Sequence, residues 1–121
     1  MARILLVDDE PALLDSLGRI LRVLGHTVET AHDGKWALDL LQTATEGFDL
    51  VITDENMPEV GGPLLLELMR NQGIETPTMI MGGYITPDRA EKLKQQGFAE
   101  AIQKPISVSD LNRLVTSALA N

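Results

Sequence analysis

Short runs of branched and aliphatic residues alternate with stretches of helical periodicity five times along this chain, and that alternation limits the fold more than any other feature. Strands that are each followed by a helix return through right-handed crossovers, which gives a parallel sheet with helices packed on both faces. The strand-like runs are Arg3 to Val7, His26 to Ala31, Leu50 to Ile52 continuing to Asp54, Thr78 to Met81, and Ala99 to Gln103. Between them, Leu13, Leu17, Leu21 and Leu24 recur at helical spacing, with Pro11 in the first turn and Gly25 placed to end the helix. Trp36, Ala37, Leu40 and Leu41 make a second helix, and Leu64 to Arg70 a third that begins with Pro63 in its first turn. Pro87 to Gln96 is a polar fourth helix with only Ala90 and Leu93 to anchor it, and a fifth runs from near Ser107 or Ser109 through Leu111, Val115 and Leu119. The expected architecture is therefore α/β: a doubly wound, five-stranded parallel sheet with five helices. At 121 residues it should form one domain, 1–121, around one core.

Composition removes several kinds of function. There is no cysteine, which excludes disulfides, thiolate metal sites and cysteine nucleophiles. A formal net charge of -8 with scattered basic residues argues against direct binding of nucleic acid. One Trp, one Tyr and two Phe offer no stacking platform for bases or sugars. The apolar run Ile4 to Val7 is too short for a signal-peptide core or a membrane span, so a soluble cytoplasmic protein is expected.

In doubly wound sheets, chemistry sits outside the carboxyl ends of the strands, where the strand order reverses. In the flavodoxin-like order 2-1-3-4-5 the first and third strands are neighbours. That order brings Asp8, Asp9 and Asp54 to one edge, with Lys104 arriving from the fifth strand. Three like charges so close repel one another and call for a cation, and a set of oxygen ligands with room for water suits Mg²⁺. A cation there neutralises a phosphoryl group approaching Asp54, Lys104 pairs with another of its oxygens, and the carboxylate can act as nucleophile toward phosphorus.

These residues resemble the receiver domains of bacterial two-component response regulators. The motifs are Ile4-Leu5-Leu6-Val7-Asp8-Asp9-Glu10, Asp54-Glu55-Asn56-Met57-Pro58 with Gly62, and Lys104-Pro105, in order and in spacing along the whole chain. The resemblance implies that Asp54 accepts a phosphoryl group from a histidine kinase or a histidine phosphotransfer protein, a regulatory role in a phosphorelay rather than that of an enzyme with a separate substrate. It implies that Asp9 and Asp54 ligate Mg²⁺ directly, that Asp8 acts mostly through water, and that the main-chain carbonyl of Asn56 completes the protein's share. Lys104 would contact the phosphoryl oxygens, and the peptide bond before Pro105 would be cis.

Two positions depart from the family pattern. Most receivers carry Ser or Thr where this chain has Gly82, and an aromatic residue where it has Ala101. Both halves of the usual hydroxyl and aromatic switch are absent. Phosphorylation is then expected to order the Gly82-Gly83-Tyr84 loop and the fourth helix, with Tyr84 or Thr86 as substitute hydroxyls. An alternative of another class is a receiver-like binding module that signals without phosphorylation, which the intact Asp8, Asp9, Asp54 and Lys104 set opposes. A small flavin-binding protein or haloacid-type phosphatase of similar architecture is opposed by the lack of a Gly- or hydroxyl-rich phosphate loop after the first strand and by Asn56, which stands where a second Asp would be needed. The chain stops after the fifth helix, so it is either a stand-alone receiver or a segment of a longer regulator. Its target is unknown; the fourth-helix face, with Arg89, Lys92, Lys94 and Gln95, is mixed and polar, so a monomer or weak dimer is expected.

Overall fold

The computed structural model describes residues 2–120. Five strands alternate with five helices: β1 Arg3–Val7, α1 Pro11–Val23, β2 Thr27–Ala31, α2 Gly34–Thr43, β3 Leu50–Asp54, α3 Gly62–Asn71, β4 Thr78–Gly82, α4 Pro87–Gln95, β5 Glu100–Gln103 and α5 Val108–Leu119. All pairings are parallel, as the alternation predicts, and the order is β2-β1-β3-β4-β5, the flavodoxin-like order expected.

Because side chains alternate across a strand, each strand feeds two cores. Ile4, Leu6, Leu50, Ile52, Met79 and Met81 face α1 and α5, where Leu17, Leu21, Leu111 and Val115 meet them. On the other face Leu5, Val7 and Val51 pack with Ala37 of α2 and Leu65 and Met69 of α3. A smaller cluster of Leu66, Ile80, Ile85, Leu93 and Phe98 seats α4. Full burial of a side chain such as Leu21 or Leu65 contributes about 1.5–3 kcal/mol. Leu93 is the only residue of α4 that is fully covered, so this helix is the least anchored of the five.

Local sequence explains most of the boundaries. The side chains of Asp33, Thr86 and Ser107 accept the N–H groups of Trp36, Arg89 and Asp110 and so start α2, α4 and α5, which settles the last start on Ser107. Gly25, at φ +101°, closes α1: its N–H donates to the Arg22 carbonyl and that of His26 to Leu21. His26 is thereby kept out of β2, and its Nδ1 accepts the Ala2 N–H. β4 runs one residue beyond the expected Met81 and ends inside the glycine pair 82–83. Gly82 belongs to the strand, since it pairs with Gln103 and its carbonyl accepts the Lys104 N–H at 2.8 Å.

Candidate functional site

Three strand ends build the site. Past the end of β1, the Asp8 N–H donates to the Ala31 carbonyl at 3.1 Å, while its carboxylate Oδ1 accepts the Glu10 N–H at 2.9 Å. Asp8 is therefore fixed at both ends and is only 1 % exposed. Asp9 beside it is exposed. Asp54 is the last residue of β3 and is buried, with the loop to α3 folded tightly behind it. The Gly62 N–H donates to the Glu55 carbonyl at 3.0 Å, and a Cβ at Gly61 or Gly62 would lie 2.7 Å from the carbonyl oxygen of Glu55 or Asp54 respectively. Only glycine lets the backbone come this close. Lys104 follows β5, and its bond to Pro105 is cis, as the resemblance implies.

The side chains converge as the sequence predicts. One carboxylate oxygen from each of Asp8, Asp9 and Asp54 lies within 4.8 Å of the others. Lys104 Nζ lies 2.7 Å from Asp54 Oδ1 and 3.0 Å from Asp8 Oδ2. Asn56 sits with an exposed side chain in the loop just after Asp54.

Burial raises the Asp8 pKa above the usual 3.8, and the negative charge of Asp54 adds to the shift, against the opposing Glu10 N–H and Lys104 ammonium. Burial also works against the Lys104 charge, yet the hydrogen bonds and charges of Asp54 and Asp8 together outweigh it, and its pKa is raised. Lys104 therefore remains an ammonium at neutral pH. Three carboxylates against one ammonium leave a formal excess of two negative charges, all on hard oxygen donors, with the Asp9 side open to water. That donor set fits Mg²⁺, which keeps several waters when bound.

The sign for stability follows from Asp8. A carboxyl that holds its proton more tightly when folded makes the protein less stable as pH rises from about 3.8 through its folded-state pKa, and the penalty is complete above that window. Without divalent ions, Asp8→Asn is expected to raise the melting temperature by roughly a few degrees at pH 7. Mg²⁺ is expected to stabilise the wild type by mass action and the variant much less. Thermal melts of both proteins with and without Mg²⁺ check this.

The residues flagged as departures are placed as follows. Ala101 is half-buried on β5 and packs against the cluster that seats α4. Tyr84 is 82 % exposed, and the Thr86 hydroxyl accepts the N–H of Arg89 as the α4 cap. Gln103 holds the intervening loop: its Nε2 donates to the Gly83 carbonyl and its Oε1 accepts the Ile85 N–H, both at 2.6 Å. The segment expected to gain order thus already has fixed partners. Sequence reasoning missed Gln103 and the pairing of Glu55 with Arg89, in which both Nε and Nη2 of the guanidinium bond Glu55 Oε2. The two are 34 residues apart, and only the loop from β4 into α4 makes them neighbours. Among the basic residues of the α4 face, Lys94 also has a partner, Glu100 at 3.5 Å.

Comparison with known proteins agrees with this geometry. The family model of the response regulator receiver domain matches residues 4–116. The chain is 38% identical over 114 residues to the response regulator protein FleR of Pseudomonas aeruginosa, covering 94% of this chain and 24% of FleR. It is also 38% identical over 112 residues to the regulator of RpoS of Escherichia coli, covering 93% of this chain and 32% of that protein. The chain thus spans a third or less of these curated relatives. Among solved structures, a receiver domain from Clostridium thermocellum superposes with a TM-score of 0.90 at 28% identity, covering 99% of this chain and 95% of that one. The chemotaxis response regulator CheY4 of Vibrio cholerae gives 0.88 at 30% identity, covering 98% of each chain. No helix among the described residues is long and apolar enough to cross a membrane. With the receiver pattern matched from the first strand into the last helix and the acidic pocket assembled beside Lys104, the chain belongs to the response regulator receiver domain family of two-component systems.

Proposed function

We propose that this chain is a phosphoacceptor, a single receiver domain over 1–121 that stores a phosphoryl group on Asp54 in a two-component or phosphorelay pathway. The observation that carries this reading is the Lys104 ammonium, held between Asp54 at 2.7 Å and Asp8 at 3.0 Å beside a three-carboxylate cluster. In the transfer, an Asp54 carboxylate oxygen bonds to phosphorus as the P–N bond of a donor phosphohistidine breaks. The bonding pair leaves with the imidazole nitrogen and the product is an acyl phosphate. Lys104 enters the reaction charged and its Nζ, already at Asp54, can follow the transferred oxygens without a proton moving. Asp9 and Asp54 would hold Mg²⁺ with the Asn56 carbonyl, Asp8 acting mainly through water, and the bound ion supplies charge neutralisation for the phosphoryl oxygens.

The donor is a histidine kinase or histidine phosphotransfer protein, approaching near α1 and the acidic pocket. The only reactions the domain promotes are its own phosphorylation and dephosphorylation. The phosphorylated state alters residues 82–86 and α4, and a protein target reads that change. With a net charge of -8 the domain acts in the cytoplasm as a monomer or weak dimer, without contacting nucleic acid or membrane.

Intact mass after incubation with an acyl phosphate donor tests the reading. One phosphoryl adduct that requires Mg²⁺ and is lost in Asp54→Asn is expected. Folded protein that gains no adduct, or an Asp54→Asn variant that gains it equally, contradicts it.

A further inference from the structure

Position 82 offers no side chain, and the volume one would enter is already taken. A Cβ built on Gly82 would lie 2.8 Å from Glu55 Oε1 and 3.0 Å from two carbons of Ile85. A carboxylate therefore stands beside the edge of β4 next to the acceptor Asp54. Its other oxygen, Oε2, is bonded by Nε of Arg89 at 2.9 Å and by Nη2 of the same guanidinium. The Glu55 side chain is only 11 % exposed while that of Arg89 is 38 % exposed, so the carboxylate is buried and the guanidinium keeps one side open to solvent.

Phosphorylating Asp54 adds a dianionic group one residue from Glu55. Uncompensated, two anions in a partly buried site repel strongly. A guanidinium has five N–H donors, and Glu55 uses only two of them. We propose that Arg89, carried by α4 and held by Glu55 before transfer, provides the second cationic side chain, after Lys104, for the phosphoryl group on Asp54, and donates the hydrogen bond that a side-chain hydroxyl at position 82 would otherwise supply. In the unphosphorylated state Glu55 holds the guanidinium, with its own carboxylate beside Gly82, and so competes with the phosphoryl oxygens for it. The phosphoryl oxygens then draw the remaining donors inward. Arg89 lies in the first turn of α4, the helix with the thinnest anchorage, so movement of its guanidinium bears directly on that helix. The inference rests on Asp54 being the phosphoacceptor and adds the side chain that senses it.

The test is the rate of Mg²⁺-dependent adduct formation from an acyl phosphate donor, followed by intact mass for wild type, Arg89→Ala, Arg89→Lys and Glu55→Gln. Both Arg89→Ala and Glu55→Gln break the same ion pair, so a merely structural role for that pair slows both alike. The proposal predicts a split. Arg89→Ala slows formation about ten- to a hundredfold, the worth of one charge-assisted hydrogen bond. Arg89→Lys recovers part of that loss, and Glu55→Gln is as fast as wild type or faster, because it removes an anion from beside the incoming group. Wild-type rates in Arg89→Ala, or an equal fall in Glu55→Gln, overturn it. Should Arg89→Ala fail to fold, the Arg89 Nε–H resonance of the wild type decides: it shifts when Mg²⁺ and beryllofluoride, a phosphoryl mimic, are added, and an unmoved resonance overturns the proposal. A wild type that forms no adduct at all removes the reading of Asp54 itself, an outcome distinct from the failure of Arg89.

Discussion

Lys104→Ala is expected to slow phosphoryl-adduct formation by about two to three orders of magnitude, the range found when a preorganised charge-stabilising donor is removed from a reacting centre. The expectation comes from position and charge together. Nζ is within hydrogen-bond distance of both Asp54 and Asp8, and its raised pKa keeps it cationic throughout the neutral range. Its removal leaves three carboxylates without their ammonium, one of them almost wholly buried. The variant is therefore expected to melt lower than wild type without divalent ions and to recover more than wild type does on adding Mg²⁺. Single-turnover mass spectrometry with an acyl phosphate donor gives the first number, and melts with and without Mg²⁺ give the second. A variant that reacts at the wild-type rate would show that Lys104 serves the apo pocket alone.

Gly62→Ala carries the second large effect, on stability and site at once. The new Cβ would lie 2.7 Å from the Asp54 carbonyl oxygen and 2.8 Å from Ile80 Cδ1. A side-chain tip can turn aside, but the backbone of a central strand cannot move without carrying Asp54 with it. The cost is expected to be about 2–3 kcal/mol, a fall in melting temperature on the order of 10 °C. Weaker Mg²⁺ binding should accompany it. Gly47→Ala is the control, because a Cβ there meets nothing within 4 Å. Equal melting temperatures for the two variants would mean that the loop behind Asp54 has more room than its geometry indicates.

The framework was legible because it depends on local periodicity. The leucines of α1, the runs that became β1 and β3, and the turn residues between them each report one element, and strict alternation then leaves little freedom of topology. Asp8, Asp9, Asp54 and Lys104 were legible for a related reason: each stands where an apolar strand run ends, and a parallel sheet gathers such ends at one edge. What escaped were side-chain pairings without periodic trace. Nothing in Glu55 or Arg89 taken singly marks them as partners, and Gln103 reads as an ordinary strand-end amide until its bonds to Gly83 and Ile85 are seen. Gly82 shows how an absence misleads. The sequence ended the strand at Met81 and assigned Gly82 to a loop, whereas the missing side chain makes room for Glu55 and Ile85 while the backbone stays in β4.

The most direct measurement concerns where the phosphoryl group goes. After incubation with Mg²⁺ and an acyl phosphate donor, borohydride reduces an aspartyl phosphate to homoserine, a change that peptide mass spectrometry assigns to one residue. Homoserine at position 54, dependent on Mg²⁺, is the predicted result. Its absence in folded protein, or its appearance at Asp8 or Asp9 instead, would contradict the assignment of Asp54 as the phosphoacceptor.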